Sequence, residues 1–197
     1  MLSISNPMKG PGRGDYYLDL AKEDYYANCI EQPGTWFGSG AKRMSLTGKV
    51  QREQFHNLLK GFSPDGKQPL VMNANKGDRR SGWDLTFSCF KSGSVFWALA
   101  PPEIREVVEQ AHQHAVEVAL THIEQKCGVT RRGKGGKILE PAAMAFALFQ
   151  HSTSRAQDPQ LHTHAVLLNL GWRQDGTTGS LECGYFFREK KIAGAIY

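Results

Sequence analysis

No segment of the 197-residue chain approaches the eighteen or so consecutive apolar residues that a membrane-spanning helix requires, so no membrane insertion is expected. The opening stretch, MLSISNPMKGPGRGD, lacks the apolar centre of a secretory signal, which points to a cytoplasmic protein. Cysteine is sparse. Cys29, Cys89, Cys127 and Cys183 lie far apart with no Cys-x-x-Cys, which argues for reduced thiols and against a disulfide framework or a zinc cluster. An acidic balance is missing too: the formal charge is +5, which permits a polyanionic partner without requiring one. At 40% hydrophobic and 22% charged, the chain is long enough for one domain with a substantial core and too short for two ordinary ones.

What the chain does have is concentrated in Phe149 to Leu170, FQHSTSRAQDPQLHTHAVLLNL. Side chains alternate between faces along a strand, so His162 and His164 project from one face, followed there by Val166 and Leu168. Ala145, Ala147, Phe149 and His151 alternate in the same way, and the polar segment Ser154 to Leu161, with Asp158-Pro159, reads as the loop that turns this strand back. His151 then sits beside the other two. A lone His-x-His is a weak signal, but three neutral imidazoles on a sheet can bind a divalent cation and leave positions open for water or substrate.

Tyrosine pairs stand at Tyr16-Tyr17 and Tyr25-Tyr26, behind Asp15 as a helix cap. In one continuous helix their nine-residue separation places the pairs on opposite sides, at about 100° per residue. Rings packed at a half-buried surface would account for them. A tyrosine hydroxyl beside a metal that withdraws charge from a phosphate is also a nucleophile. Trp83 to Cys89 reads as a half-buried strand with Asp84, Thr86 and Ser88 on its polar face; Asp84 suits a partner for a ligating imidazole or a proton acceptor, and Lys91 and Ser92 suit a phosphate. Gln51 to Leu59 is a short helix closed by Lys60-Gly61. The longest helix opens at Pro101-Pro102-Glu103, runs a core stripe through Ile104, Val107, Val108, Ala111, Ala115, Val118 and Ile123, and stops at Lys126-Cys127-Gly128. His112, His114 and His122 on it read as partly solvated surface residues. Thr130 to Lys137, TRRGKGGK, reads as a flexible basic loop, and Lys76, Arg79, Arg80, Arg131, Arg132, Lys134 and Lys137 form a dispersed set able to neutralise phosphates.

The tyrosine pairs, the DLTFS strand at Asp84 to Ser88 with Lys91-Ser92 after it, and above all HSTSRAQDPQLHTHAVLLNL resemble the nicking domain of conjugative relaxases of the MobF class, which belong to the HUH endonucleases. The resemblance runs the length of the chain. It implies an α+β domain, a central mostly antiparallel sheet flanked by helices. It implies that His151, His162 and His164 hold a divalent metal, expected to be Mg²⁺ or Mn²⁺, that Tyr16 attacks the scissile phosphate, and that Asp84 assists; an enzyme that nicks and later rejoins has a use for two nucleophiles, and Tyr25, first of the second pair, is the candidate for the other. The DNA contacts expected are Arg80, Lys91, Arg131, Arg132 and Arg155. The implied activity is site- and strand-specific nicking and rejoining of single-stranded DNA at a plasmid transfer origin, through a 5′-phosphotyrosine, in the bacterial cytoplasm and with other transfer-complex proteins. A rolling-circle replication initiator, a three-histidine enzyme of other substrates, and a DNA-binding fragment without chemistry are the alternatives. Two departures stand out. Phe90-Lys91-Ser92-Gly93 replaces the Pro-Lys-Ser-Val of many relatives, and the chain stops inside an apparent helix, Arg188 to Tyr197, where relatives continue, so residues 1–197 are expected to be a relaxase domain shortened at its C-terminal end.

Overall fold

The computed structural model describes residues 1–10, 16–17, 33–154 and 156–197. Its centre is a six-stranded sheet made of β1 (Leu2–Ile4), β2 (Met8–Lys9), β3 (Thr35–Phe37), β4 (Arg80–Ser88), β7 (Phe146–Thr153) and β8 (Pro159–Leu168), in the order β1-β4-β8-β7-β3 with β2 also on β4. Every pairing is antiparallel. The expected α+β architecture is therefore present.

Alternation along the strands separates two apolar layers. Trp83, Leu85, Phe87, Phe146, Leu148, Ala165 and Leu167 face one way, against two helices, α4 (Pro102–Cys127) and α5 (Gly184–Ile196). Ala145, Ala147, Phe149, Val166 and Leu168 face the other way, where Trp36, Tyr17 and α2 (Arg52–Lys60) cover them. Both faces are thus covered, and β4, which its alternation alone marks as half-buried, is buried over most of its length. α1 (Ser39–Arg43) is a short helix after β3, and α3 (Lys91–Leu99) follows β4.

Helix α2 ends as its sequence predicts. Gly61 takes φ 91° and its N–H closes on the Asn57 and Leu58 carbonyls; a Cβ there would come within 2.7 Å of Val71 Cγ2. Helix α4 starts at Pro102 and stops at Gly128 as expected, but its buried face is different. His112, Val116, Ala119, Leu120, Ile123 and Cys127 are buried, whereas Val107 is 60% exposed and Ile104 and Val118 are exposed as well. No residue of α4 before His112 is fully buried; its first turns pack on α3 through Arg105 and Glu109, and among the described residues its apolar Ile104 and Val107 stay exposed.

The basic segment after α4 is a hairpin and not a flexible loop. β5 (Val129–Arg132) pairs with β6 (Ile138–Pro141) around glycines with positive φ. Arg131 is bound to Glu182, and Arg132 to Asp175 at 2.6 Å and Glu140 at 3.1 Å. Two-residue strands β9 (Gly171–Trp172) and β10 (Thr178–Gly179) pair beyond β8. Arg79 also departs from its expected place in the phosphate-neutralising set: it is 1% exposed and donates to the Leu59 and Asn169 carbonyls and to Asn73 Oδ1. Burial pushes its guanidinium pKa down to about 10. No helix of the described residues is long and apolar enough to cross a membrane.

Candidate active site

Strand register assembles the histidines. His151 on β7 lies directly opposite His162 on β8, and His164 lies between Phe149 of β7 and Thr86 of β4. The three imidazole centroids form a nearly equilateral triangle with sides of 5.0, 5.4 and 5.4 Å. An imidazole nitrogen sits about 2.1 Å from a bound Zn²⁺-like ion, so three rings sharing one ion at tetrahedral angles have centroids about 5 Å apart. The rings match that spacing, although among the described residues no three donor groups already close on one point.

The hydrogen bonds of two of the rings favour the same use. His162 Nδ1 is 2.8 Å from the Gln160 carbonyl oxygen, and His164 Nδ1 is 2.7 Å from Asp84 Oδ2. A carbonyl and a carboxylate both accept, so Nδ1 carries the proton in each ring, with Thr86 Oγ1 also 3.3 Å from that of His164, and Nε2 is the nitrogen of each ring that could ligate an ion. A metal would thus be held by His151, His162 and His164, and the donor set fits an imidazole-binding divalent ion. His162 and His164 are half-buried, which keeps the site open on one side.

Asp84 is 7% exposed and stands on the histidine face of β4. Its Oδ2 accepts from His164 and from the Tyr17 hydroxyl at 3.1 Å, while Oδ1 is buried without a hydrogen-bond partner among the described residues. A buried carboxylate oxygen with no donor carries a desolvation cost that nothing in the described structure offsets. The Tyr17 ring is buried, 6.1 Å from Phe149 in a stacked arrangement and 5.4 Å from the His164 ring. Tyr16 packs edge-on against Tyr17 at 5.2 Å and is 43% exposed.

The structure thus brings His151, His162, His164, Asp84 and the first tyrosine pair together. The Asp84 bond made by Tyr17 had no signal in the sequence, because 67 residues separate the partners. Tyr25 and Arg155 lie outside the described residues. Lys91 begins α3, three residues beyond the Ser88–His162 pair, and its Nζ reaches the Pro159 carbonyl at 3.3 Å and Asp158 at 3.9 Å. Arg80 is exposed at the opposite end of β4, about 13 Å along the strand from Asp84. Arg131 and Arg132 sit on the β5–β6 hairpin, which leads into the end of β7 away from His151. His112, read from sequence as partly solvated, is instead buried, with Nε2 2.8 Å from Thr163 Oγ1 and Nδ1 2.9 Å from the Tyr197 hydroxyl. His122 pairs with Glu189 at 3.1 Å, and His114 is exposed as expected.

The family described as TrwC relaxase matches residues 11–197. The chain is 36% identical over 172 residues to the multifunctional conjugation protein TraI of Escherichia coli K12, an alignment covering 86% of the chain and 9% of that protein. A metal-bound structure of the conjugative relaxase TrwC in complex with oriT DNA superposes with a TM-score of 0.84 at 33% identity, covering 100% of the chain and 66% of TrwC. A second TrwC complex, with a 27-mer DNA comprising the recognition hairpin and the cleavage site, gives 0.80 at 31%, covering 100% and 65%. The chain therefore spans about a tenth of the length of TraI and just under two thirds of the TrwC chains.

Proposed function

This chain belongs to the TrwC relaxase family, and we propose that it nicks and rejoins single-stranded DNA at a plasmid transfer origin by transesterification, initiating conjugative transfer. The observation that carries the reading is a triangle of three imidazoles, one of them joined with Tyr17 on a single buried carboxylate, Asp84, with Tyr16 packed beside Tyr17. TrwC itself is known with oriT DNA and with metal, and both relatives are conjugation proteins, which favours transfer over rolling-circle replication.

In this reading Tyr16, the more accessible ring of its pair, supplies the nucleophile. Its hydroxyl oxygen bonds to phosphorus as the bond from phosphorus to the 3′ oxygen breaks, so the 5′ end stays on the tyrosine and the 3′-hydroxyl leaves. Asp84 Oδ1 accepts the tyrosine proton, and a proton returns to the 3′ oxygen. Tyr17 and His164 hold the carboxylate from its other oxygen, so Oδ1 keeps its direction. A divalent ion, Mg²⁺ or Mn²⁺, held by His151, His162 and His164 supplies charge withdrawal from the non-bridging oxygens when bound. Because the ester bond energy is kept in the phosphotyrosine, rejoining needs no nucleotide, and Tyr25 is assigned to that later exchange. Lys91, beside the β7–β8 loop, is placed for the phosphate backbone near the site, with Arg80 farther along its course, and Arg155 is assigned to the same backbone contact. Arg131 and Arg132 contribute only where a phosphate displaces their carboxylates. Such exposed pairs contribute little net stability, so the exchange is feasible. Partner proteins of the transfer complex and a bacterial cytoplasmic location complete the proposal, in keeping with free thiols at Cys89, Cys127 and Cys183.

The test is incubation of the chain with single-stranded oligonucleotides from candidate transfer origins and Mg²⁺ or Mn²⁺. An SDS-resistant protein–DNA adduct on one strand only is expected. Sequence-selective binding with no adduct would leave a DNA-binding module without chemistry.

A further inference from the structure

Along β8, Leu161, Thr163, Ala165 and Leu167 face the α4 side, and Thr163 is the one polar side chain in that row. It is 4% exposed, lies between His162 and His164, and meets His112 Nε2 at 2.8 Å. His112 in turn is 2.9 Å from the Tyr197 hydroxyl through Nδ1. A buried chain of three polar side chains in an apolar layer costs desolvation that leucine and valine would avoid. Packing of apolar groups is non-directional, whereas a hydrogen bond fixes distance and angle. The Thr163 bond therefore sets the height and rotation of β8 under α4 at the residue between two ring-bearing positions. The His164 ring has its own fixed bond on the opposite face, to Asp84 of β4, so a small rotation of the strand would pull against it.

We propose that His112, acting through Thr163, is a positioning residue for the histidine triad, holding β8 in the rotation that lets His162 and His164 share one divalent ion with His151. The inference rests on the metal-site reading above. His112 touches neither the metal position nor the DNA; it acts across the sheet. Partners that orient ligands typically change metal affinity about tenfold to a hundredfold when removed.

Mn²⁺ binding to the chain, measured by calorimetry beside thermal melts, tests this. Thr163→Val keeps the β-branched shape and removes the hydroxyl; a loss of about tenfold in Mn²⁺ affinity is expected, with recovery in Thr163→Ser. The double variant Thr163→Val/His112→Leu separates positioning from plain stability. Replacing both partners by apolar groups leaves no unpaired atom at positions 163 and 112, and the half-buried Tyr197 hydroxyl, which loses His112 Nδ1, can turn to water, so most of the melting temperature is restored. The affinity is expected to stay about tenfold down. If affinity recovers together with stability, or is unchanged in folded Thr163→Val, the pair only holds the fold and the proposal is overturned. Wild-type protein that binds no Mn²⁺ would remove the metal-site reading and this inference together.

Discussion

Tyr17 and His164 donate to the same oxygen atom, Asp84 Oδ2, at 3.1 and 2.7 Å. One carboxylate thus orients a buried tyrosine and an imidazole of the histidine triangle at once, and its second oxygen is buried without a donor among the described residues. Asp84→Asn keeps the shape but leaves one acceptor oxygen where two were, and it removes the proton acceptor. Nicking is expected to slow by about a hundredfold or more while circular dichroism stays that of the wild type. Nicking at the normal rate would refute the assigned role.

The two tyrosines of the first pair are distinguished by exposure. Tyr16→Phe should abolish the covalent adduct, since the substituted ring has no hydroxyl to attack the phosphate. Tyr17→Phe should retain the adduct at a reduced rate, because it deletes only a donor to Asp84, a bond worth about 1.5–3 kcal/mol to a charged group. Peptide mapping of the trapped adduct decides: DNA found on Tyr17 would reverse the assignment.

Removing one ring of the triangle should remove tight divalent binding. Calorimetry on His162→Ala and His164→Ala is expected to show no saturable Mn²⁺ site, since two imidazoles compete poorly with water. His114→Ala, altering an exposed residue of α4, should bind as the wild type does.

Affinity for single-stranded DNA should fall steeply with salt as counterions are released. Lys91→Ala is expected to lower the slope of log affinity against log salt by about one phosphate contact. Arg79→Met should leave the slope alone and lower the melting temperature, because that guanidinium holds Leu59, Asn73 and Asn169 inside the fold. An altered slope in Arg79→Met would show that its charge reaches the DNA after all.

Burial lowers the His112 pKa to about 4, with His162 and the chain's amino terminus adding repulsion. Unfolded, the same imidazole titrates near 6.5. Between those values the unfolded chain binds the extra proton, so His112 makes stability fall as pH drops from about 6.5 toward 4 and contributes no slope above that window. Denaturant midpoints at pH 7 and pH 5 should therefore differ less in His112→Leu than in the wild type.

Much of this was legible because strand alternation is a two-residue rule. It placed His162 with His164, put His151 beside them and set Asp84 on the same side as the rings of β8. Helix α2 and its glycine stop were likewise local. What failed depended on where neighbours end. The apolar stripe of α4 was read as core, but its first turns have no sheet beneath them, and the buried face rotates to include His112. Arg79 and the TRRGKGGK segment look like free charge in a string of letters; their partners, Asn169, Glu182 and Asp175, lie 43 to 90 positions away. The same distance hid the Tyr17–Asp84 bond.

The β7–β8 hairpin carries all three histidines, and its pairing runs from Phe146↔Leu167 to Thr153↔Pro159, with a bulge between His151 and Thr153. Closing so short a loop is among the fastest events available to a chain, whereas docking of β4 and of the N-terminal tyrosines waits on contacts of high sequence separation. The ring triangle therefore depends on sequence-local contacts alone, whereas the acid and the nucleophile reach it only through contacts of high sequence separation.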